Sequence, residues 1–220
     1  MPILYSFRRC PYAIRARYVL ALLGCDVLLR EVDLKSKPSA LLALGGRTTV
    51  PQMIDEQGER YPESMDIMLW ALKQTARKEL AELLWPSPGV RQTKINTWIS
   101  YNDNQFKYWL DRYKYADRYP DKTELEYRQR AEVFMKRLNN RLSLHKYLLG
   151  DDMSLADIAI FPFIRQFSNV DKNWFETSEY DNLKLWLDSF VNDDFFNDVI
   201  MKKLPSWQNG QADVVFPFCQ

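Results

Sequence analysis

The sequence contains few of the residues on which several common chemistries depend. Its 220 residues include one histidine, three cysteines and seven glycines. The histidine, His145, falls within an amphipathic helical pattern, and no serine lies in a nucleophile-elbow context, so a histidine-based triad is not expected. No glycine-rich phosphate loop is found. Because the carboxylates form no recognisable pair or metal cluster, we expect no bound metal.

Charge and hydropathy exclude further classes of protein. The net charge is +1, with 27% charged and 46% hydrophobic residues, so bulk electrostatics favours neither nucleic acid nor a membrane surface as a partner. No stretch approaches the roughly 20 apolar residues of a membrane span, and the first residues do not resemble a secretory signal. Three cysteines without metal-ligand spacing argue against a disulfide framework and for a reducing compartment, so we expect a cytoplasmic protein.

The stretch that is most informative about chemistry lies near the start of the chain. An apolar run, Ile3–Tyr5, is followed by Ser-Phe-Arg-Arg-Cys-Pro-Tyr and then by a segment with helical spacing that Gly24 ends. Cys10 therefore lies where a strand turns into a helix, and Pro11 takes the first helical position. The positive helix end favours the thiolate, so we predict that Cys10 titrates below the ordinary thiol value of about 8.5. The alternative is a small buried hydrophobe.

The chain changes character along its length. Residues 1–75 alternate strand and helix in the order βαβ-α-ββα, which predicts a mixed sheet covered by helices. Residues 76–89 carry charges followed by Trp-Pro-Ser-Pro-Gly, which is typical of a linker. Residues 90–220 show helical spacing with almost no strand signal, and the tail 205–220 is expected to be irregular. We therefore predict an α/β domain, a linker and an all-helical domain.

Two short motifs in the first domain suggest a binding site. Val50-Pro51 leads into a strand, and a cis bond there would turn the carbonyl and N–H of Val50 outward, where they can pair with an extended peptide. Glu63-Ser64 stands before a helix, which Ser64 is predicted to cap, and the N–H groups beyond it can hold a carboxylate. Taken singly, each motif is ordinary turn and capping chemistry.

The helical part is rich in aromatic residues between positions 98 and 119. Tyr101, Tyr108 and Tyr115 fall off the predicted core stripe, and they are candidates for lining an apolar cleft for a hydrophobic substrate. The alternative interpretation places them on an ordinary amphipathic surface.

Together, the motifs Cys10–Ala13, Val50–Pro51 and Glu63–Ser64 resemble the glutathione transferase superfamily. The resemblance covers the whole chain, including a capping box at Ser154–Asp157 and the later Pro162. It implies an N-terminal thioredoxin-like domain and a C-terminal α-helical bundle domain. The first eighty residues look most like the omega class, which carries Cys-Pro-Phe-Ala, and like bacterial glutaredoxins built on a transferase frame, which share a Pro-Glu-Ser-Met-Asp-Ile segment.

The resemblance implies a glutathione site and assigns roles to individual residues. Cys10 would contact the glutathione sulfur or form a mixed disulfide with it. Val50, positioned by cis-Pro51, would pair its backbone with the cysteinyl amide. Glu63 and Ser64 would hold the γ-glutamyl end.

The same resemblance leaves the remaining contacts less defined. Arg47 is a candidate for the glycyl carboxylate, and Lys35 competes with it. Tyr12 would border the thiol. Ala13 stands where dithiol glutaredoxins have a second cysteine, and neither Cys25 nor Cys219 is an obvious resolving thiol, which excludes a dithiol cycle at this motif.

The resulting functional prediction is a glutathione-dependent thiol transferase with Cys10 as the nucleophile. Its reactions would be monothiol thiol–disulfide exchange, deglutathionylation or reduction of small oxidants such as dehydroascorbate. Glutathione would be the co-substrate and a small molecule or mixed disulfide the second substrate, and the family allows a homodimer. One alternative is conjugation of glutathione to hydrophobic electrophiles, with Ser6 standing where conjugating classes place a catalytic tyrosine. The other is a binding protein that keeps the fold without catalysis.

Overall fold

The structure is a computed structural model that describes residues 1–218, so Cys219 lies outside the described residues. The chain divides into two compact units. Residues 1–81, together with residues 193–218, form the first, which we call the sheet unit. Residues 82–192 form the second, the helical unit. No helix within residues 1–218 is long and apolar enough to cross a membrane.

The sheet unit begins with the strand and helix order that the sequence predicts. In its first 81 residues the elements are β1 (Ile3–Ser6), α1 (Pro11–Leu22), β2 (Val27–Glu31), α2 (Ser39–Leu42), β3 (Gln52–Ile54), β4 (Arg60–Tyr61) and α3 (Ser64–Gln74). Helix α4 (Lys78–Leu84) begins in this unit and ends in the helical unit. The sheet has the order β4-β3-β1-β2-β5. Strands β1 and β2 are parallel, as expected for strands joined through a helix, and Ser6 lies beside Glu31 in their register.

The fifth strand corrects the prediction of an irregular tail. Strand β5 (Val214–Phe216) pairs antiparallel with β2, so the expectation of almost no strand signal after residue 90 is wrong at this point. The strand has only three residues, of which Phe216 is fully buried. So short a run has no detectable period of its own, and the exposed edge of β2 supplies the hydrogen bonds that make it a strand.

The segment predicted as a linker is partly helical. Helix α4 falls within residues 76–89, because Lys-Glu-Leu-Ala-Glu-Leu-Leu consists of strong helix formers. The prolines and the glycine that suggested a linker follow the end of this helix.

The helical unit consists of helices joined by short turns. Its principal elements are α5 (Val90–Tyr101), a π-helical turn (Asn102–Phe106), α6 (Lys107–Lys114), α7 (Glu124–Leu142), α8 (Leu155–Ser168), α9 (Lys172–Thr177) and α10 (Asp181–Val191). The predicted capping box is present, since Ser154 precedes α8 and exchanges hydrogen bonds with Asp157. Pro162 lies inside α8, whose apolar residues are almost all buried. The predicted fold class, a thioredoxin-like α/β domain with a helical bundle domain, is confirmed.

Candidate active site

Cys10 lies at the junction that the sequence predicts. It is the N-cap residue of α1, with Pro11 as the first helical residue, and its backbone is extended. Its N–H donates to the Phe7 carbonyl at 2.9 Å, which closes the short loop between β1 and α1. The side chain is half-buried. The first N–H groups of α1 have no partner within the helix, so the thiol stands at its positive end.

The structure brings Cys10 together with the Val50-Pro51 motif. The Val50–Pro51 peptide bond is cis. The Cys10 thiol donates to the Val50 carbonyl at an Sγ–O distance of 3.6 Å, so this carbonyl faces the thiol. The Val50 side chain is held in a buried cluster with Tyr5, Val32 and Leu41. Because this cluster holds the Val50 side chain, the Val50 backbone has a fixed position beside Cys10.

Ser64 has a different role from the predicted cap. The N-cap of α3 is Glu63, and Ser64 is the first helical residue. Ser64 is 1% exposed, and its hydroxyl accepts a hydrogen bond from Arg15 Nε at 3.0 Å. Since the buried Arg15 guanidinium needs an acceptor, the hydroxyl serves this side chain instead of the helix end.

Arg47 and Glu63, assigned to opposite ends of glutathione, contact each other. Arg47 NH1 lies 2.9 Å from Glu63 Oε1, and both side chains are exposed. Lys37, which the sequence did not single out, donates to Thr48 Oγ1 at 3.2 Å on the loop that leads to Val50. Lys35 is exposed, and its N–H donates to Asp33. Arg47 and Lys37 are therefore cations next to the Val50 loop, and Arg60 also contacts it through the Arg47 carbonyl.

Tyr12 belongs to a second group of contacts beside Cys10. The guanidinium of Arg15 lies over the Tyr12 ring at 5.0 Å from its centroid and also binds Ser64. Arg15 is 2% exposed. The sequence analysis missed it, although an arginine within the apolar helix segment was a usable signal.

A buried pair, Arg17 with Glu31, lies on the same helix and the neighbouring strand. Arg17 NH1 is 3.6 Å from Glu31 Oε2. Burial lowers the pKa of Arg17 to about 10, opposed by the Glu31 charge. Burial also raises the pKa of Glu31. The hydrogen bond from the Arg8 N–H and the positive charges of Arg17 and Arg8 oppose that rise. The sequence analysis did not predict this pair.

Ser6, considered for polarising glutathione in a conjugating enzyme, is fully buried within β1. Within residues 1–218, its hydroxyl has no hydrogen-bond partner. Burial removes this hydroxyl from any contact with a ligand at the surface, and the structure does not support the role.

The helical unit contains an open cavity of about 490 Å³. It is lined by Thr97, Trp98, Tyr101, Phe134, Arg137, Asn140, Arg141 and Leu144. Of the three tyrosines predicted to line an apolar cleft, only Tyr101 is in this cavity, where its ring stacks on Phe134 at 4.9 Å. Tyr108 contacts Trp109 and Arg112, and Tyr115 contacts Arg118, so they occupy different surroundings.

Two families match the chain, one over each part. Residues 4–79 match the N-terminal domain of glutathione S-transferase, and residues 101–194 match the C-terminal domain of glutathione S-transferase. Together the two matches span well over half of the chain. The chain therefore belongs to the glutathione S-transferase superfamily.

Individual relatives agree with this assignment. A probable glutathione S-transferase, MSR-1 of Nicotiana plumbaginifolia, is 25% identical over 193 residues, which cover 87% of this chain and 85% of the relative. A delta-class glutathione transferase of Nilaparvata lugens has a TM-score of 0.74 at 20% identity, covering 90% of this chain and 92% of that one. A Pseudomonas fluorescens family member with two glutathione bound has a TM-score of 0.71 at 18% identity, covering 87% and 88%. These structures share the fold.

Proposed function

We propose that the protein is a glutathione-dependent thiol transferase, similar to the omega class and the glutaredoxin-like branch, with Cys10 as its nucleophile. The observation that carries the proposal is the position of Cys10 at the N-cap of α1, beside the loop that contains the cis Val50–Pro51 bond. A sulfur at a helix N-terminus is stabilised as thiolate, which is the form that attacks disulfides.

The proposed reaction has two exchange steps. The Cys10 thiolate attacks the glutathionyl sulfur of a mixed disulfide, so a Cys10–glutathione disulfide forms and the substrate leaves as a thiolate. A second glutathione gives its proton to that thiolate and attacks the glutathionyl sulfur on Cys10. Oxidised glutathione is released and the Cys10 thiolate is restored. The N–H groups of α1 stabilise Cys10 both as attacking and as leaving group.

Glutathione would bind along the Val50 loop and the start of α3. Within residues 1–218, nothing accepts a hydrogen bond from the Val50 N–H, which suits pairing with the cysteinyl part of the tripeptide. The first N–H groups of α3 would receive the γ-glutamyl carboxylate at Ser64. Glu63 would accept the γ-glutamyl amino group. Lys37 is a candidate for the glycyl carboxylate, and Arg47 is a second candidate if it leaves Glu63 when glutathione binds.

Replacement of Cys10 by serine tests the proposal. We expect the rate of reduction of a glutathionylated peptide to fall by about 100-fold or more, because a serine hydroxyl is not ionised at neutral pH. The matched control is Cys25→Ser, since Cys25 is buried and its thiol donates to the Ala71 carbonyl. Equal activity of the two variants would remove Cys10 from the mechanism.

Conjugation of glutathione to an apolar electrophile is the second candidate. The cavity around Tyr101, with its aromatic lining, favours binding of an apolar molecule by the helical unit. In this case chlorodinitrobenzene conjugation would survive Cys10→Ala. A non-catalytic protein would show no glutathione affinity by calorimetry and neither activity.

Location and assembly are part of the same proposal. Cytoplasmic glutathione is kept reduced, which the second exchange step requires. The second substrate would be a small molecule or a mixed disulfide. Sedimentation velocity would test the homodimer that the family allows.

A further inference from the structure

Burial of the Arg17–Glu31 pair costs hydration free energy, and the pair lies close to Cys10 in the chain, which suggests a functional role. The Arg17 side chain is fully buried and the Glu31 side chain is 10% exposed. Within residues 1–218, none of the three Arg17 guanidinium nitrogens forms a hydrogen bond. A buried pair at this distance does not recover the hydration that both ions lose, so stability alone does not account for it.

The second carboxylate oxygen of Glu31 reaches the loop that carries Cys10. Glu31 Oε1 accepts a hydrogen bond from the Arg8 N–H at 2.7 Å. Arg8 is two residues before Cys10, and the Cys10 N–H donates to the Phe7 carbonyl. The Arg8 side chain also donates to the Met201 carbonyl at 3.2 Å. One carboxylate thus fixes the middle of the loop between β1 and α1.

Arg17 connects the same carboxylate to the helix that follows Cys10. It lies in α1, less than two turns after the N-cap, and its guanidinium packs over the Phe216 ring at 5.3 Å. Glu31 therefore contacts chain on both sides of Cys10, the loop through Arg8 and the helix through Arg17.

We propose that Glu31 and Arg17 are positioning residues for Cys10, in which the Glu31 carboxylate holds the Arg8 amide while Arg17 keeps that carboxylate in place. This inference rests on the proposed function for the role of Cys10 as nucleophile. The stabilisation of a thiolate by the first N–H groups of a helix depends on their direction, so a loosened loop reduces it. Glu31 and Arg17 carry opposite charges, so we assign the proposed effect to geometry.

An electrostatic role for Glu31 predicts the opposite sign. A nearby carboxylate disfavours a thiolate, so loss of the charge alone would lower the Cys10 pKa. Loss of the hydrogen bond to Arg8 would instead raise that pKa towards the value of an ordinary thiol.

Two double variants separate the hydrogen bond from the charges. Arg17→Met with Glu31→Gln removes both charges and keeps a side-chain oxygen for the Arg8 N–H. Arg17→Met with Glu31→Leu removes both charges and the acceptor. Neither variant leaves a buried ion without its partner, but the leucine variant also leaves the Arg8 N–H without an acceptor, so we expect it to be the less stable of the two.

The measurement is the rate of Cys10 alkylation by iodoacetamide as a function of pH, followed by mass spectrometry. At about pH 6.5 we expect the leucine variant to react about tenfold more slowly than the glutamine variant, with its midpoint about one pH unit higher. Equal profiles, or a lower midpoint in the leucine variant, would overturn the proposal.

A second pair of variants gives the answer if the leucine variant does not fold. Arg8→Pro removes the N–H that donates a hydrogen bond to Glu31, whereas Arg8→Ala keeps this N–H. Both variants leave the Arg17–Glu31 pair intact. We expect Cys10 to react about tenfold more slowly in Arg8→Pro than in Arg8→Ala. Equal rates contradict the proposal.

Since alkylation requires no glutathione, a protein with a reactive Cys10 and no thiol-transferase activity would refute the proposed function while leaving this inference intact.

Discussion

The two units each bury a carboxylate, and they satisfy it differently. In the helical unit, Asp157 accepts hydrogen bonds from the Leu148 N–H, the Ser154 N–H, the Ser154 hydroxyl and Trp186 Nε1, at 2.7–3.1 Å. In the sheet unit, the Glu31 carboxylate accepts one hydrogen bond from the described residues, donated by the Arg8 N–H, and faces Arg17 with its other oxygen.

The two carboxylates differ in how they are satisfied, and Glu31 lies beside the candidate active site whereas Asp157 lies within the helical core. Four donors replace the water that Asp157 loses, so it needs no cation. Glu31 instead relies on a cation that is itself poorly satisfied. Burial raises the pKa of both groups, because each carboxylate is removed from bulk water.

Removal of the Asp157 carboxylate should have the largest effect. In Asp157→Ala, the donors of Leu148, Ser154 and Trp186 lose their acceptor, which we expect to cost about 3–5 kcal/mol of the free energy of unfolding. Urea denaturation measures this change in the free energy of unfolding. The control is Asp152→Ala, because Asp152 is exposed. A cost below about 1 kcal/mol would mean that water replaces the carboxylate and that the comparison fails.

Breaking the buried pair in the sheet unit should rank second. Arg17→Met leaves the Glu31 carboxylate buried without its cation, which we expect to cost about 3 kcal/mol in the free energy of unfolding. The double variant with Glu31→Gln should recover to within about 1 kcal/mol of the original protein, because both charges are gone. If the double variant is no more stable than the single one, the pair has no electrostatic penalty to relieve.

The titration of Glu31 should add a smaller, pH-dependent contribution. Burial raises its pKa above 4.5, so over the window above that value the folded state binds more protons than the unfolded state. The stability contributed by Glu31 is therefore present below its ordinary pKa and is lost as pH rises through the folded pKa. Stability of the protein relative to Arg17→Met with Glu31→Gln should fall as pH rises from about 4. A difference that rises with pH would contradict the sign.

The exposed pair between Arg47 and Glu63 should have the smallest effect on stability. We expect Arg47→Ala to change the free energy of unfolding by less than about 0.5 kcal/mol, because water screens both charges. If Arg47 binds the glycyl carboxylate, the same variant should raise the KM for glutathione severalfold while kcat changes little. An unchanged KM would transfer that role to Lys37.

Several features of the fold and the site could be predicted because their signals are local. The N-cap position of Cys10 follows from an apolar run, a proline and a helical period within a few residues. The capping box at Ser154–Asp157 spans three residues in the sequence. The cis bond at Val50–Pro51 was likewise suggested by the dipeptide itself.

Other features were missed because their partners are far apart along the chain. Arg8 and Glu31 are separated by 23 residues, and Arg15 and Ser64 by 49. Strand β5 becomes a strand only against β2, and the hydroxyl of Ser64 was assigned to the wrong partner for the same reason.

The sequence alone determined the order of strands and helices in the first 75 residues and the position of Cys10 where a strand turns into a helix, since periodicity and capping act over single turns. The tertiary structure decided which charges are buried together, which hydroxyl meets which donor and where the tail pairs. Those contacts join side chains from different elements, and their energies depend on burial that exists only once the elements have packed.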